Sequence, residues 1–192
     1  MPNASLTDLL AHIRTELEQA FAQLDDWFAA PAAARHFRPA DGGWTGDEIL
    51  KHTALTNHFL LILIEKATTK ALRNSAGLDL AQELGQYQFK QTLLEEVGIS
   101  RSFPWVRPEH MEPRGQKSPA EVQTPLREQL QQCLRSLARL PNGEGVLYRT
   151  TMSVNGLGKL DVYEYLYFLA KHAKRHVMQL ARNAAEYQQV AS

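Results

Sequence analysis

Four stretches of this chain repeat apolar residues every three or four positions, and that period commits most of it to amphipathic helices around a shared core. In residues 5–29 the series is Leu6, Leu9, Leu10, Ile13, Leu17, Phe21, Leu24 and Phe28, and Pro31 ends it. The second stretch, about 45–70, lines up Ile49, His52, Thr53, Thr56, Phe59, Leu60 and Leu63. The third, about 118–140, carries Val122, Leu126, Leu130, Cys133, Leu134 and Leu137. The fourth, about 161–187, carries Val162, Tyr165, Leu166, Leu169, Ala173, Val177 and Leu180. Three of them open with a capping residue and an acid three positions on: Thr45 and Glu48, Ser118 and Glu121, Asp161 and Glu164. In this spacing the cap accepts from a free backbone amide while the acid reaches back. Pro119 stands at the first helical position, where its missing N–H costs nothing.

The expected fold is therefore all-α, a four-helix bundle. Residues 71–117 separate the second and third helices and hold only weaker helical pieces near 79–84 and 86–97, then an irregular segment. A connection of that length implies a bundle with a crossover rather than simple hairpins. Val146, Leu147, Tyr148, Thr150 and Thr151 have strand character, and Asn155-Gly156 follows as a turn, so a short β-hairpin is expected before the last helix. No repeat or linker divides the chain, so residues 1–192 are expected to form one domain.

Composition removes several function classes. Twenty-one basic residues balance 21 acidic ones, which argues against a nucleic-acid partner. The single cysteine, Cys133, excludes a disulfide framework and a cysteine-based zinc site. Its place on the apolar stripe of the third helix makes it an inert core thiol, suited to a reducing compartment. Asp8, Arg14, Glu16 and Glu18 interrupt the N-terminal segment, so it does not read as a signal peptide. The most apolar run, 58–66, is too short to span a bilayer. A cytoplasmic protein with no membrane partner is expected.

The histidines carry the chemistry. His172 and His176 lie four apart, about 40° round a helix, and continue the apolar stripe of the fourth helix. Lys171, Lys174 and Arg175 fall on its other sides and are expected in solvent. Burying two imidazoles without partners costs on the order of 1–3 kcal/mol each. Two answers remain open: hydrogen-bonded core histidines, or ligands of a divalent metal. His52, on the inner stripe of the second helix, is the best third member. His58 is about 240° round from it, His12 is marginal to the core, and His36 and His110 fall in loop regions. Three histidines with open positions would make a reactive site rather than a structural one. HAKRH lacks the glutamate of HExxH, and no pair of Glu-x-x-His motifs is present. Thr56, Trp105, Tyr165 and Gln179 are candidates for the surrounding pocket. Glu48 could orient His52, although the capping role explains it more simply. Trp44 is expected to pack over the bundle end. Arg101, Arg107 and Arg114 read as solvated loop residues, with a hold on an acidic thiol as the alternative.

The segments GGWTGDEILKHTALTNHFLL (42–61) and LAKHAKRHVMQLARN (169–183), with the order helix, helix, long crossover, helix, helix, resemble the DinB-like family of metal-binding four-helix bundles. The resemblance implies an up-down-down-up bundle and metal ligands at His52, His172 and His176. It implies one divalent ion, zinc or nickel first among them, and a homodimer. It also implies a low-molecular-weight thiol as cosubstrate, since the family includes bacillithiol transferases and a mycothiol-dependent isomerase. The expected function is thus a metal-dependent thiol S-transferase or a related hydrolase acting on a small molecule. The alternative is a non-catalytic metal-binding bundle. With no carboxylate forced into the site as a base, the hydrolase version is the weaker.

Overall fold

The computed structural model describes residues 5–99, 109–115 and 117–191. The described residues are mostly helical, with four long helices among them: α1 (Leu6–Asp26), α3 (Gly46–Asn74), α6 (Pro119–Ala138) and α7 (Val162–Ala191). Three short ones join them: α2 (Ala32–His36), α4 (Leu80–Gly85) and α5 (Gln91–Gly98). α2 is absent from the helical period, because five residues are too few to show one.

Local chemistry starts each long helix. Thr45 and Ser118 close their capping boxes on Glu48 and Glu121. At α7 the Asp161 amide donates to Glu164 Oε2 at 3.1 Å, and Asp161 Oδ1 accepts from the Glu164 amide at 3.0 Å. α1 has a box as well, with Ser5 and Asp8 exchanging bonds of 3.2 Å. Asp8 stands there in place of the longer glutamate of the other boxes.

α7 packs against α1 and α3, and α6 packs against the same two helices. α5 then lies on the outer side of α7. Residues 161–173 are consequently buried on every side, and α7 is central rather than amphipathic over that length. Lys171, expected in solvent, is buried there. Its Nζ lies 2.7 Å from Glu16 Oε2 and 4.6 Å above the Tyr167 ring, which together offset the desolvation of the ammonium. Lys174 is exposed as expected.

The hairpin before α7 is shorter than its propensity suggested. β1 (Thr150–Met152) pairs antiparallel with β2 (Gly158–Leu160), with Thr151 opposite Lys159. Val146 and Leu147 are not strand but part of a buried 3₁₀ turn, Glu144–Leu147. Packing overrides β propensity there. Gly143 takes φ +103°, and Gly145 lies so close to Tyr163 that a Cβ would meet its ring at 2.6 Å. The Tyr163 hydroxyl ties the turn down, donating to Leu140 O at 2.6 Å and accepting from the Gly145 amide at 3.2 Å.

Candidate metal centre

α3 supplies His52 and α7 supplies His172 and His176. All three are buried, and one ring nitrogen from each lies within 4.8 Å of the other two. His172 Nε2 and His176 Nε2 are 3.1 Å apart. Two nitrogens each about 2.0–2.1 Å from a tetrahedral zinc would stand roughly 3.3 Å apart, so this spacing fits one ion.

The other ring nitrogens set the tautomers. His52 Nδ1 lies 2.7 Å from Met111 O, and a carbonyl only accepts, so Nδ1 carries the proton and Nε2 the lone pair. His176 Nδ1 likewise faces Gln179 Oε1 at 3.1 Å, which leaves Nε2 as the lone-pair nitrogen. Burial, and then the neighbouring His52, push the His176 pKa down to about 3 against a small opposing effect of Gln179. Burial, His176 and His52 hold His172 well below its usual value too. Both rings are therefore neutral near pH 7, the form that ligates a metal.

The group opens onto a cavity of about 450 Å³. The Trp44 ring lies 4.6 Å from that of His52, and Phe168 stacks on His172 with 9° between the planes. Thr56 lines the cavity, its hydroxyl 3.5 Å from His52 Nε2. Tyr165 lines it as well. Its hydroxyl accepts from Thr150 Oγ1 at 2.9 Å and donates to Thr151 O at 3.3 Å. No Asp or Glu lines the cavity among the described residues, and Arg175 is the one charged residue among them that does.

Some candidates lie elsewhere. Glu48 does not orient His52; it caps α3, pairs with Arg38 at 2.8 Å and lines a separate cavity. Trp105, Arg101 and Arg107 lie outside the described residues. Arg114 pairs with Glu109 and Glu112 at the surface. His36 meets Asp47, His110 meets Phe59 edge to face, His58 is exposed, and His12 meets the Tyr167 hydroxyl. The sequence reading missed three neighbours of the site. Phe168, four residues before His172, carried a signal in the helical period. Arg175 was assigned to solvent. The Met111 carbonyl carried no signal, since every residue has one.

A family model described as the DinB superfamily matches residues 9–180, which include all three histidines. No curated protein and no solved structure matches the chain. Among the described residues, no helix is long and apolar enough to cross a membrane.

Proposed function

The chain belongs to the DinB superfamily, and from that footing we propose a divalent-metal-dependent enzyme that joins a small-molecule thiol to an electrophile. His52, His172 and His176 are its ligands, zinc or nickel its ion, and an up-down-down-up bundle its frame. The observation that carries this reading is the convergence of three buried imidazoles on an open cavity. A structural site would be closed by a fourth protein ligand.

When bound, the ion would lower the pKa of a coordinated thiol and so supply a thiolate near neutral pH. The chain's own residues prepare the site. Met111 O holds His52 in the tautomer that turns Nε2 inward, and Gln179 does the same for His176. Trp44 packs against the His52 ring and Phe168 against the His172 ring. The Tyr165 proton is engaged with Thr151 O, so Tyr165 shapes the wall rather than donating an acid proton. A carboxylate base would serve water activation, and none lines the cavity among the described residues, which favours thiol transfer over hydrolysis. The same reading places the enzyme in the reducing cytoplasm, as a homodimer.

A second reading rests on the 3.1 Å contact between His172 Nε2 and His176 Nε2. The two rings can share a proton without an ion, as a polar core cluster in a bundle that is not an enzyme.

Metal content per chain separates the two, measured on tag-free protein beside His52→Ala and His172→Ala. The enzyme reading expects close to one equivalent in the wild type and loss in both variants while each still melts cooperatively. Turnover of a thiol with an electrophile then follows the metal. A wild type that takes up no Zn, Ni, Mn or Fe, with variants changed only in stability, leaves the core cluster standing.

A further inference from the structure

A second cavity, also of about 450 Å³, borders the connection that holds His52. In residues 109–115, Met111 lines the histidine cavity, while Pro113 and Gly115 line the second one. The neighbours Lys51 and His52 of α3 divide in the same way, Lys51 to the second cavity and His52 to the first. Phe28, Leu50, Pro113 and Val122 give the second cavity apolar walls. Its acids and bases are not evenly matched. Asp47 is taken by Arg35 at 2.9 Å and by His36 at 3.0 Å. Glu48 is taken by Arg38 and by the Thr45 amide, both at 2.8 Å. Lys51 is 7 % exposed, and its Nζ donates to the carbonyls of Arg114 and Gly115, which solvate the ammonium without cancelling its charge. Burial first, and then the charge of Lys117, hold its pKa below the usual lysine range against the pull of Glu48. Lys117 lines the same cavity. Glu121, whose carboxyl feels Lys117, is committed to the Ser118 cap, its Oε2 accepting from the amide at 2.8 Å and the hydroxyl at 2.7 Å. Among the described residues, then, no carboxylate pairs with either lysine of this cavity. Two like charges beside one cavity repel, and an anion placed between them relieves both.

We propose that this second cavity binds a small molecule carrying a dianionic oxyanion group, a phosphate monoester in chemical class. The oxyanion bridges Lys51 and Lys117, and the apolar walls receive the body that carries it. Lys51 belongs to α3, and Lys117 closes the connection just before α6. The bridging anion therefore ties the connection to α3 and steadies residues 109–115, which carry the Met111 carbonyl bonded to His52. The site lies outside the histidine cavity and needs no metal for its occupancy.

The test compares phenyl phosphate with uncharged phenol. Both are titrated by calorimetry into the chelator-treated full chain at low salt, and amide exchange is followed by mass spectrometry with and without each ligand. Phenyl phosphate should bind roughly tenfold tighter than phenol and slow exchange over residues 109–115. Lys117→Ala should remove most of the preference and Lys117→Glu all of it. Lys117 is exposed, so both variants should fold, and thermal melts check this. If Lys117→Glu does not fold, Lys117→Ala decides. Equal binding of the two ligands, binding of neither at millimolar concentration, or a preference that survives the Lys117 variants each overturns the proposal. So does phosphate-dependent protection confined to residues 150–160, which places the anion in the histidine cavity instead.

Discussion

Replacing Asp161 by Asn should make the metal-free protein lose more stability in acid than the wild type does. Asp161 is 1 % exposed, and burial first, then the neighbouring Glu164 carboxylate, push its pKa up to about 7. Its unfolded value is about 3.9. A carboxylate raised in this way binds its proton more readily folded than unfolded, so it favours folding as pH falls through 7 toward 4. Between pH 8 and pH 5 the gain is about 2–3 kcal/mol. His176 has the opposite sign. Its pKa falls from an ordinary 6.5 to about 3 on folding, so it stabilises the fold above 6.5 and loses that contribution as pH drops toward 3. Over the same interval it removes about 2 kcal/mol, and His172 adds to the loss. The contributions of Asp161, at the start of α7, and His176, near its middle, therefore oppose each other between pH 8 and pH 5. In Asp161→Asn the side-chain carbonyl would still accept from the Glu164 amide, so the cap survives and the acid-favouring share is lost. Urea unfolding of chelator-treated wild type and Asp161→Asn at pH 8, 6.5 and 5 measures this. The variant should lose about 2–3 kcal/mol more than the wild type across the interval. Parallel curves for the two proteins would falsify the assignment of a raised pKa to Asp161.

Three further outcomes follow from single contacts. Gly145→Ala should cost about 1–3 kcal/mol in urea unfolding, because its Cβ would meet the buried Tyr163 ring at 2.6–2.9 Å; an unchanged midpoint would contradict that packing. Lys51 Nζ is bonded to the carbonyls of Arg114 and Gly115, in the same segment whose Met111 carbonyl holds His52. Lys51→Met should speed amide exchange over residues 109–115 and weaken zinc binding roughly tenfold, and exchange at the wild-type rate would count against the tether. Burial pushes the Cys133 thiol up to about 12. Its labelling by a disulfide reagent should proceed only at the rate of unfolding, and rapid labelling of folded protein would show the core there is open.

The parts of this fold legible in sequence were those written in local chemistry. Three cap-and-acid pairs located three helix starts, and the i, i+4 spacing of His172 and His176 put both rings on one inward face. What escaped the sequence depended on contacts distant along the chain. Lys171 reads as a surface residue until Glu16 of α1 and the ring of Tyr167 are seen to enclose it. Asp161 reads correctly as a cap, but its burial depends on elements packed around the start of α7. Val146 and Leu147 have strand propensity, yet Gly143 and Gly145 allow a turn that Tyr163 locks. Arg175 reads as a surface residue because the Ile99 carbonyl that it bonds lies on a distant segment and leaves no trace in the periodicity of α7.

The three histidines and the pocket draw on different parts of the chain, and this explains why the first are easier to read than the second. The separation of His172 and His176 is set by helix geometry in a segment whose surroundings are largely packed, so loop motion cannot respace it. His52 sits on a second long helix packed against the first. The orientation of its ring, however, comes from Met111, in a segment between α5 and α6 that Lys51 holds to α3. The rest of the wall comes from the hairpin, through Thr151, Met152, Ser153 and Val154. Donor spacing is thus a property of the bundle, while donor orientation and cavity shape are properties of the connections. Substitutions in the connections can therefore reshape the cavity without changing the spacing of the histidine nitrogens.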